Sequence, residues 1–423
     1  MNAIHRLARC RFGFATGALG LMISIQAAAG TVTTDGADIV IKTKGGLEVA
    51  TTDKQFAFQI GGLLQADYSQ FDGIYSKNGK RANEAFLRRA RLELNGKAYG
   101  DWSYEFSIDF ADDGATSWKE ASVSYLALEP VTIKVGRFDP DFGLEQATSS
   151  KWTTAMERSL LGDLAPWVAD HADGMGVQLS ASTDLFYGVA SVNRPKGQED
   201  KNGKNTNTYN LRAVVAPWAE PGNVLHFGVD YAMSDIDKLA SNGRIRSRLG
   251  ARATSEDAVN GNRVDLAPGV AGAYEGDAVW GLEAAWAQGP LSVQAEYLRR
   301  DLDAASGTGR NDRKAEGYYG QLAYTLTGES RGYKLDGGKF DRVKPSDKQL
   351  GAWEVFYRFD AARVEERGYL DNRAKLHTLG VNWYVNDQVK VSANYVKTNV
   401  DGISNQAGDD SGDAVAMRLQ YVF

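Results

Sequence analysis

A strict alternation of apolar and polar residues, repeated segment after segment, limits what this chain can become more than any other feature. In the last stretch Val415, Met417, Leu419, Tyr421 and Phe423 alternate with Ala416, Arg418, Gln420 and Val422. A period of two puts the first set on one face of a sheet and the second on the other. Phe56, Phe58, Ile60, Gly62, Leu64, Ala66 and Tyr68 likewise oppose Gln59, Gly61, Leu63, Gln65 and Asp67. Trp102, Tyr104, Phe106, Ile108 and Phe110 oppose Ser103, Glu105, Ser107 and Asp109. Trp280, Leu282, Ala284 and Trp286 oppose Gly281, Glu283 and Ala285, and Trp353, Val355, Tyr357 and Phe359 oppose Glu354, Phe356 and Arg358.

The breaks between these segments come in two lengths. Gln288-Gly289-Pro290 and Asn386-Asp387 are tight, whereas 234–276 and 329–348 are long and polar. Short turns on one rim, long loops on the other and aromatics near strand ends (Tyr68, Trp102, Tyr297, Trp383, Tyr421) make the pattern of an outer-membrane barrel. At roughly 24 residues per strand with its connection, the chain holds about 16 strands. In hydrocarbon every backbone N–H and C=O must be paired, so the sheet must close. The apolar face then turns to lipid and the polar face to a lumen too wide for side chains to fill. A secreted sandwich also alternates, but it would not set charges opposite aromatics in strand after strand. A mean hydropathy of −0.39 rules out a bundle of apolar helices. The fold class expected is all-β, a transmembrane antiparallel β-barrel of about 16 strands with a long loop folded into the lumen.

Residues 1–29 read differently. Arg6, Arg9 and Arg11 precede the short apolar stretch 12–25, and Ala27-Ala28-Ala29 precedes Gly30. Basic region, apolar core and small-residue site make a secretory signal peptide. The expected division is a cleaved leader at 1–29 and an outer-membrane barrel domain at 30–423. The single Cys, Cys10, lies in the leader, so the exported part has neither disulfides nor thiolate metal sites.

The chain carries 48 Lys and Arg against 54 Asp and Glu, a net charge of −6, and its basic residues are grouped. Arg244, Arg246 and Arg248 stand at alternate positions, with Arg252 and Arg263 following. If that stretch is extended, the first three share one side and form a row of guanidiniums suited to phosphate oxygens. Arg88, Arg89 and Arg91 form a second group, placed where a strand begins. Rings of charge are the usual source of pore selectivity, while a solvated basic loop touching lipopolysaccharide phosphates is the other reading. Lysines make a separate set: Lys42, Lys44 and Lys54 early, Lys134 and Lys390 on the lumen side of their strands, and Lys334, Lys339 and Lys344 in a later connection. Segment 136–169 is too long for a turn and too apolar for an exposed loop; folded inward it would narrow the pore and bring Lys151 and Arg158 to the constriction. Within 30–423, three widely spaced histidines (His171, His226, His377), no cysteine nucleophile and no phosphate loop leave no case for an enzyme, a metal or a cofactor.

Several stretches resemble the phosphate-selective porins O and P of Gram-negative bacteria: GRFDPDFGLE (136–145), ATSSKW (147–152), RIRSRLG (244–250), YTLTGES (324–330), GAWEVFYR (351–358), NWYVNDQVK (382–390) and RLQYVF (418–423), with the opening run 30–54. The resemblance extends over essentially all of 30–423 and fades only in loops. It implies a homotrimer of 16-stranded barrels in the outer membrane. An arginine ladder would draw in phosphate or pyrophosphate, a constriction would bind it, and lysines would release it. By the resemblance Arg88, Arg89, Arg244, Arg246, Arg248, Arg252 and Arg263 correspond to the ladder, and Lys151 and Arg158 to the inward loop. Lys42, Lys44, Lys54, Lys334 and Lys344 correspond to exit lysines, and Lys134 and Lys390 to lumenal ones. The departures are Gln59 and Leu63 where the family has basic residues, Gln146 in place of a central lysine, and Lys119 in place of an aspartate. They exchange one central cation for another nearby. Anion preference should survive this, with a longer anion such as pyrophosphate now a candidate. A general low-selectivity porin and a closed-lumen surface-binding barrel are the alternative readings.

Overall fold

The computed structural model describes residues 30–32, 38–43, 46–112, 115–169, 174–194, 206–234, 242–254, 258 and 263–423. The leader 1–29, Lys44 and His171 lie outside the described residues.

Sixteen antiparallel strands close into a barrel. The first eight are Ala57–Gly73, Gly79–Ala98, Trp102–Asp112, Ala115–Leu128, Val131–Arg137, Met175–Ser182, Phe186–Asn193 and Thr208–Glu220. Asn223–Ser234, Tyr274–Gln288, Leu291–Ala304, Arg313–Thr325, Ala352–Glu366, Leu370–Tyr384, Val389–Asp401 and Ser411–Val422 complete the ring. The last strand pairs with the first from Ala414↔Phe71 to Val422↔Leu63, and Phe423 and Gly62 exchange two further backbone bonds of 2.9 and 3.2 Å. Closure leaves no unpaired edge at the seam, which is what a hydrocarbon surround demands.

The alternation assigns the faces as the residues suggest. Leu64, Tyr68, Trp102, Phe106, Leu282, Tyr357, Met417 and Leu419 are exposed on the outside, while Gln65, Asp67, Glu283, Glu354, Arg358, Arg418 and Gln420 are buried within. Exposed apolar side chains over nearly the whole outer surface mark a protein whose solvent there is lipid.

The rims depart from the simple expectation at one point. Connections 99–101, 129–130, 183–185, 221–222, 289–290 and 385–388 are short and share a rim. The connection 326–351 is long and lies on that same rim, because it follows the strand that starts from the opposite side. It forms a hairpin, Arg331–Lys334 with Lys339–Val343, whose Tyr333 and Phe340 pack with Leu144, Val224 and Ala285. At the same rim, strands Gly30–Val32, Ile39–Lys42 and Leu47–Thr51 form a meander. Leu47–Ala50 pairs with Ala57–Ile60, the end of the first barrel strand that the last strand does not reach.

Candidate functional site

The segment after Arg137 is hung on the inner face by its own backbone. Wall side chains, joined by Arg331 of the rim hairpin, donate to its carbonyls nearly one after another: Gln420 to Lys151 (3.0 Å), Arg331 to Trp152 (2.6 Å), Lys390 to Thr153 (2.9 Å), Asn382 to Thr154 (2.9 Å), Arg418 to Met156 (2.6 Å) and Arg358 to Glu157 (3.0 Å). Its own N–H groups are taken up as well. Gly143, at φ +77, donates to Asp230 Oδ1 (2.8 Å), and Glu145 N to Glu296 Oε1 (2.7 Å). A loop at this depth has little water to satisfy its peptide groups, so the wall must do it. The apolar residues Leu160, Leu161, Leu164, Trp167 and Val168 pack against Ile245, Leu249, Val264 and Leu266 of the connection that follows Ser234. These contacts explain why the segment is so apolar.

Two β-bulges aim the cations. In the pairing of Ala57–Gly73 with Gly79–Ala98, Gln65 faces Arg89 and Ala66 faces Leu87, which leaves Arg88 as an extra residue. Strict alternation would send Arg88 and Arg89 to opposite faces; the bulge turns both inward, with Leu87 exposed to the outside. The next hairpin repeats the device. Ser107 faces Glu120 and Ile108 faces Trp118, so Lys119 is extra. The arginine group therefore sits mid-strand in Gly79–Ala98 rather than at a strand start, because the strand extends well to either side of the bulge.

The row of three arginines is divided. Arg244 lies at the exposed end, in a bidentate pair with Asp265 (2.6 and 2.9 Å) that raises its pKa. Arg246 is half-buried; burial together with neighbouring Arg263 and Arg244 lowers its pKa. Arg248, beyond the short strand Ile245–Ser247, turns into a cavity with Arg252 and Arg263. That cavity holds about 350 Å³ and gathers seven of the candidate cations, Arg88, Arg89, Arg158, Arg248, Arg252, Arg263 and Lys119, together with Gln146. Arg137, which the sequence reading passed over, lines it too. Among the described lining residues there are eight cationic side chains against three carboxylates, Asp139, Glu157 and Asp163.

Two of those carboxylates differ in environment. Burial pushes Glu157 up, but Arg88 (2.8 and 3.0 Å) and Arg418 (2.7 Å) override it and hold the carboxyl well below its usual range. Burial raises Asp163 against the hydrogen bonds from Ser247 and the Arg248 N–H, and here burial prevails. Glu157 is thus a fixed counter-charge, and Asp163 the readier to take a proton.

The remaining candidates lie elsewhere. Lys151 pairs with Glu93. Lys134 pairs with Glu120 (3.0 Å) beside the ring of Phe138. Lys390 is buried, with its ammonium spent on the Thr153 carbonyl. On the rim of short turns Lys42 pairs with Glu48 (3.0 Å) and Lys334 with Asp341 (2.9 Å). Lys54 occupies a turn at φ +60, and Lys344 is exposed. Gln59 and Leu63 belong to the first barrel strand, and Leu63 is buried. Among the described residues, no group of three His, Cys, Asp or Glu side chains could hold a metal.

Known proteins share both the sequence and the architecture. The chain is 55% identical to Porin O of Pseudomonas aeruginosa over 97% of its own length and 98% of that protein's. Among solved structures, an anion-selective porin from Comamonas acidovorans superposes with a TM-score of 0.56 at 12% identity, covering 87% of this chain and all of that one. The trimer form of OmpT from Vibrio cholerae gives 0.54 at 12%, covering 87% and 99%. At such identities these two establish the fold alone. Residues 58–423 match the family description "Phosphate-selective porin O and P", and with this span matched the chain belongs to that porin family.

Proposed function

We propose that the barrel is a passive, anion-selective pore for phosphate or a condensed phosphate, and not an enzyme. The observation that carries this reading is the cavity, where eight cations meet three carboxylates among the described lining residues. In a chain of net charge −6, that local excess is opposite in sign to the whole. Such a site concentrates anions by its field and offers guanidinium donors to phosphate oxygens. In this reading the inward segment 138–169 narrows the lumen. Arg244 and Arg246 form the approach, Arg248, Arg252, Arg263, Arg88, Arg89, Arg158, Lys119 and Arg137 hold the ion in the cavity they line, and Lys42, Lys44, Lys54, Lys334 and Lys344 ease its exit. Lys151, Lys134 and Lys390 act at one remove, by fixing the inward segment and the acids around it.

Residues 1–29 serve as the export leader, and three copies assemble, as in the trimer form of the Vibrio OmpT. Outer-membrane lipid and lipopolysaccharide surround the apolar outer face. The test is the reversal potential of the purified protein in a planar bilayer under a salt gradient. Anion selectivity and block of chloride current by phosphate are expected. Cation selectivity, weak selectivity or a closed barrel without conductance would each refute the reading.

A further inference from the structure

A carboxylate inside an anion path repels what the path should attract, so Asp163 requires a reason. It sits on the helical turn Leu161–Leu164 of the inward segment and lines the cavity beside Arg248. Its Oδ2 accepts from Ser247 Oγ at 2.6 Å and from Arg248 N at 3.3 Å. Ser247 Oγ in turn accepts from Leu249 N at 2.9 Å. The relay therefore spans Ser247, Arg248 and Leu249 and holds the backbone on either side of the point from which the Arg248 side chain departs.

That turn is strained. Leu249 stands at φ +53, where a branched side chain is disfavoured, and Gly250 follows at φ +75. Such a turn persists only when its surroundings fix it. Leu249 is fully buried, and its carbonyl accepts from Tyr75 Oη at 2.8 Å. Asp163 supplies the complementary hold on the N–H side, from a different inward segment. It is thus a buckle between the inward segment, which contributes to the cavity lining, and the connection that brings Arg248, Arg252 and Arg263 to it.

An amide could make the same bonds without the charge. The charge adds something an amide lacks: a pore must bind an ion well enough to admit it and loosely enough to release it. One carboxylate among the arginines moderates their hold.

We propose that Asp163 is a positioning residue for Arg248 whose negative charge also weakens anion holding in the cavity. This rests on the anion-pore reading above. The test titrates inorganic phosphate into chloride-conducting wild-type, Asp163→Asn and Asp163→Ala channels and reads the concentration that halves the current. Asp163→Asn keeps an oxygen acceptor for Ser247 and Arg248 and removes the charge, so half-block should fall several-fold. Asp163→Ala removes the charge and the acceptor together, so half-block should rise above wild type. Arg248→Ala should raise half-block in the wild type yet change little in the Asp163→Ala background, since groups acting as one unit are not additive. Folding of each variant is verified by its heat-modifiable migration and unit conductance. If Asn and Ala lower half-block alike, positioning is refuted. If Asn leaves it unchanged, the role of the charge is refuted. If phosphate fails to block the wild type, the pore reading has failed, and this inference with it.

Discussion

The buried wall and the cavity both depend on arginine, yet they treat it in opposite ways. On the wall away from the cavity, buried arginines are met by acid. Arg212 pairs with Glu283 (2.7 and 2.8 Å), Arg300 with Asp277 (2.8 and 2.5 Å), Arg358 with Asp360 (2.9 Å) and Arg418 with Asp67 (2.7 and 2.7 Å). Their remaining N–H groups go to carbonyls of the inward segments, as Arg300 does to Leu164 (2.8 Å) and Arg212 to Gly337 and Gly338 (2.8 Å each). In the cavity, cations outnumber acids. A matched guanidinium is a structural bracket; an excess of them is a field. The same residue type does either job, and only its count of nearby carboxylates tells which.

That contrast can be broken most severely at the wall. Arg418→Ala would leave Asp67 buried and Met156 without its donor, and unpairing a buried charge costs about 3–5 kcal/mol. We expect a corresponding loss in urea unfolding of the folded protein in detergent, followed by tryptophan fluorescence. Arg418→Met with Asp67→Leu, which removes both charges, should cost less. A stable Arg418→Ala barrel that had merely lost phosphate block would show that the wall and the cavity do not differ in kind.

A mid-sized effect is expected at the cavity. Gln146 and Lys119 both line it. Gln146→Lys adds a charge-assisted donor, so the phosphate half-block concentration should fall about tenfold, equivalent to ~1.4 kcal/mol. Lys119→Asp should raise it, and neither should move the unfolding midpoint as far as Arg418→Ala. No shift for either would place both side chains outside the anion's reach.

The smallest effect should come from Arg244. The row Arg244, Arg246 and Arg248 invites treatment as one unit, but Arg244 is already paired with Asp265, each side chain about two-fifths exposed. Exposed pairs are weak, and their fields are screened within ~8–10 Å at physiological salt. Arg244→Ala should therefore change anion permeability less than twofold, and only at low salt. Arg248→Ala should still act at high salt. Equal effects would restore the undivided row.

How far these features could be read in advance depends on the range of the interaction behind each. Barrel, faces and seam follow from period-two alternation, a property of neighbouring residues, and the alternation through Phe423 and through Leu64 sufficed. The inward segment was legible from its length and apolar content, because a chain that long and greasy has to be covered. What covers it was not legible. Ile245, Leu249 and Leu266 lie some hundred positions away, and no local pattern signals them. Arg88 and Arg89 stand out as grouped charges and Lys119 only as a departure from the resembled family, but their common direction depends on a register slip with a partner strand, and pairing is not written in either strand alone. Asp163 and Arg137 gave no sign at all, since a single charge in a loop is ordinary until its neighbours are known. The hairpin at 331–343 reads in sequence only as a long polar gap, and its side of the barrel follows from the number of strands before it.

The bulges carry one consequence for how this pore can change over generations. In a regular strand, inserting or deleting one codon sends every later side chain to the opposite face, charges into lipid and aromatics into water. Arg88 and Lys119 are surplus to the ladder. Deleting Lys119 would bring Trp118 and Glu120 back into simple alternation, one outward and one inward, with the strand on either side undisturbed. At these two places the gene can lose a single triplet without turning the rest of the strand over, so a lineage under new nutrient conditions could retune the charge of the passage while keeping its wall.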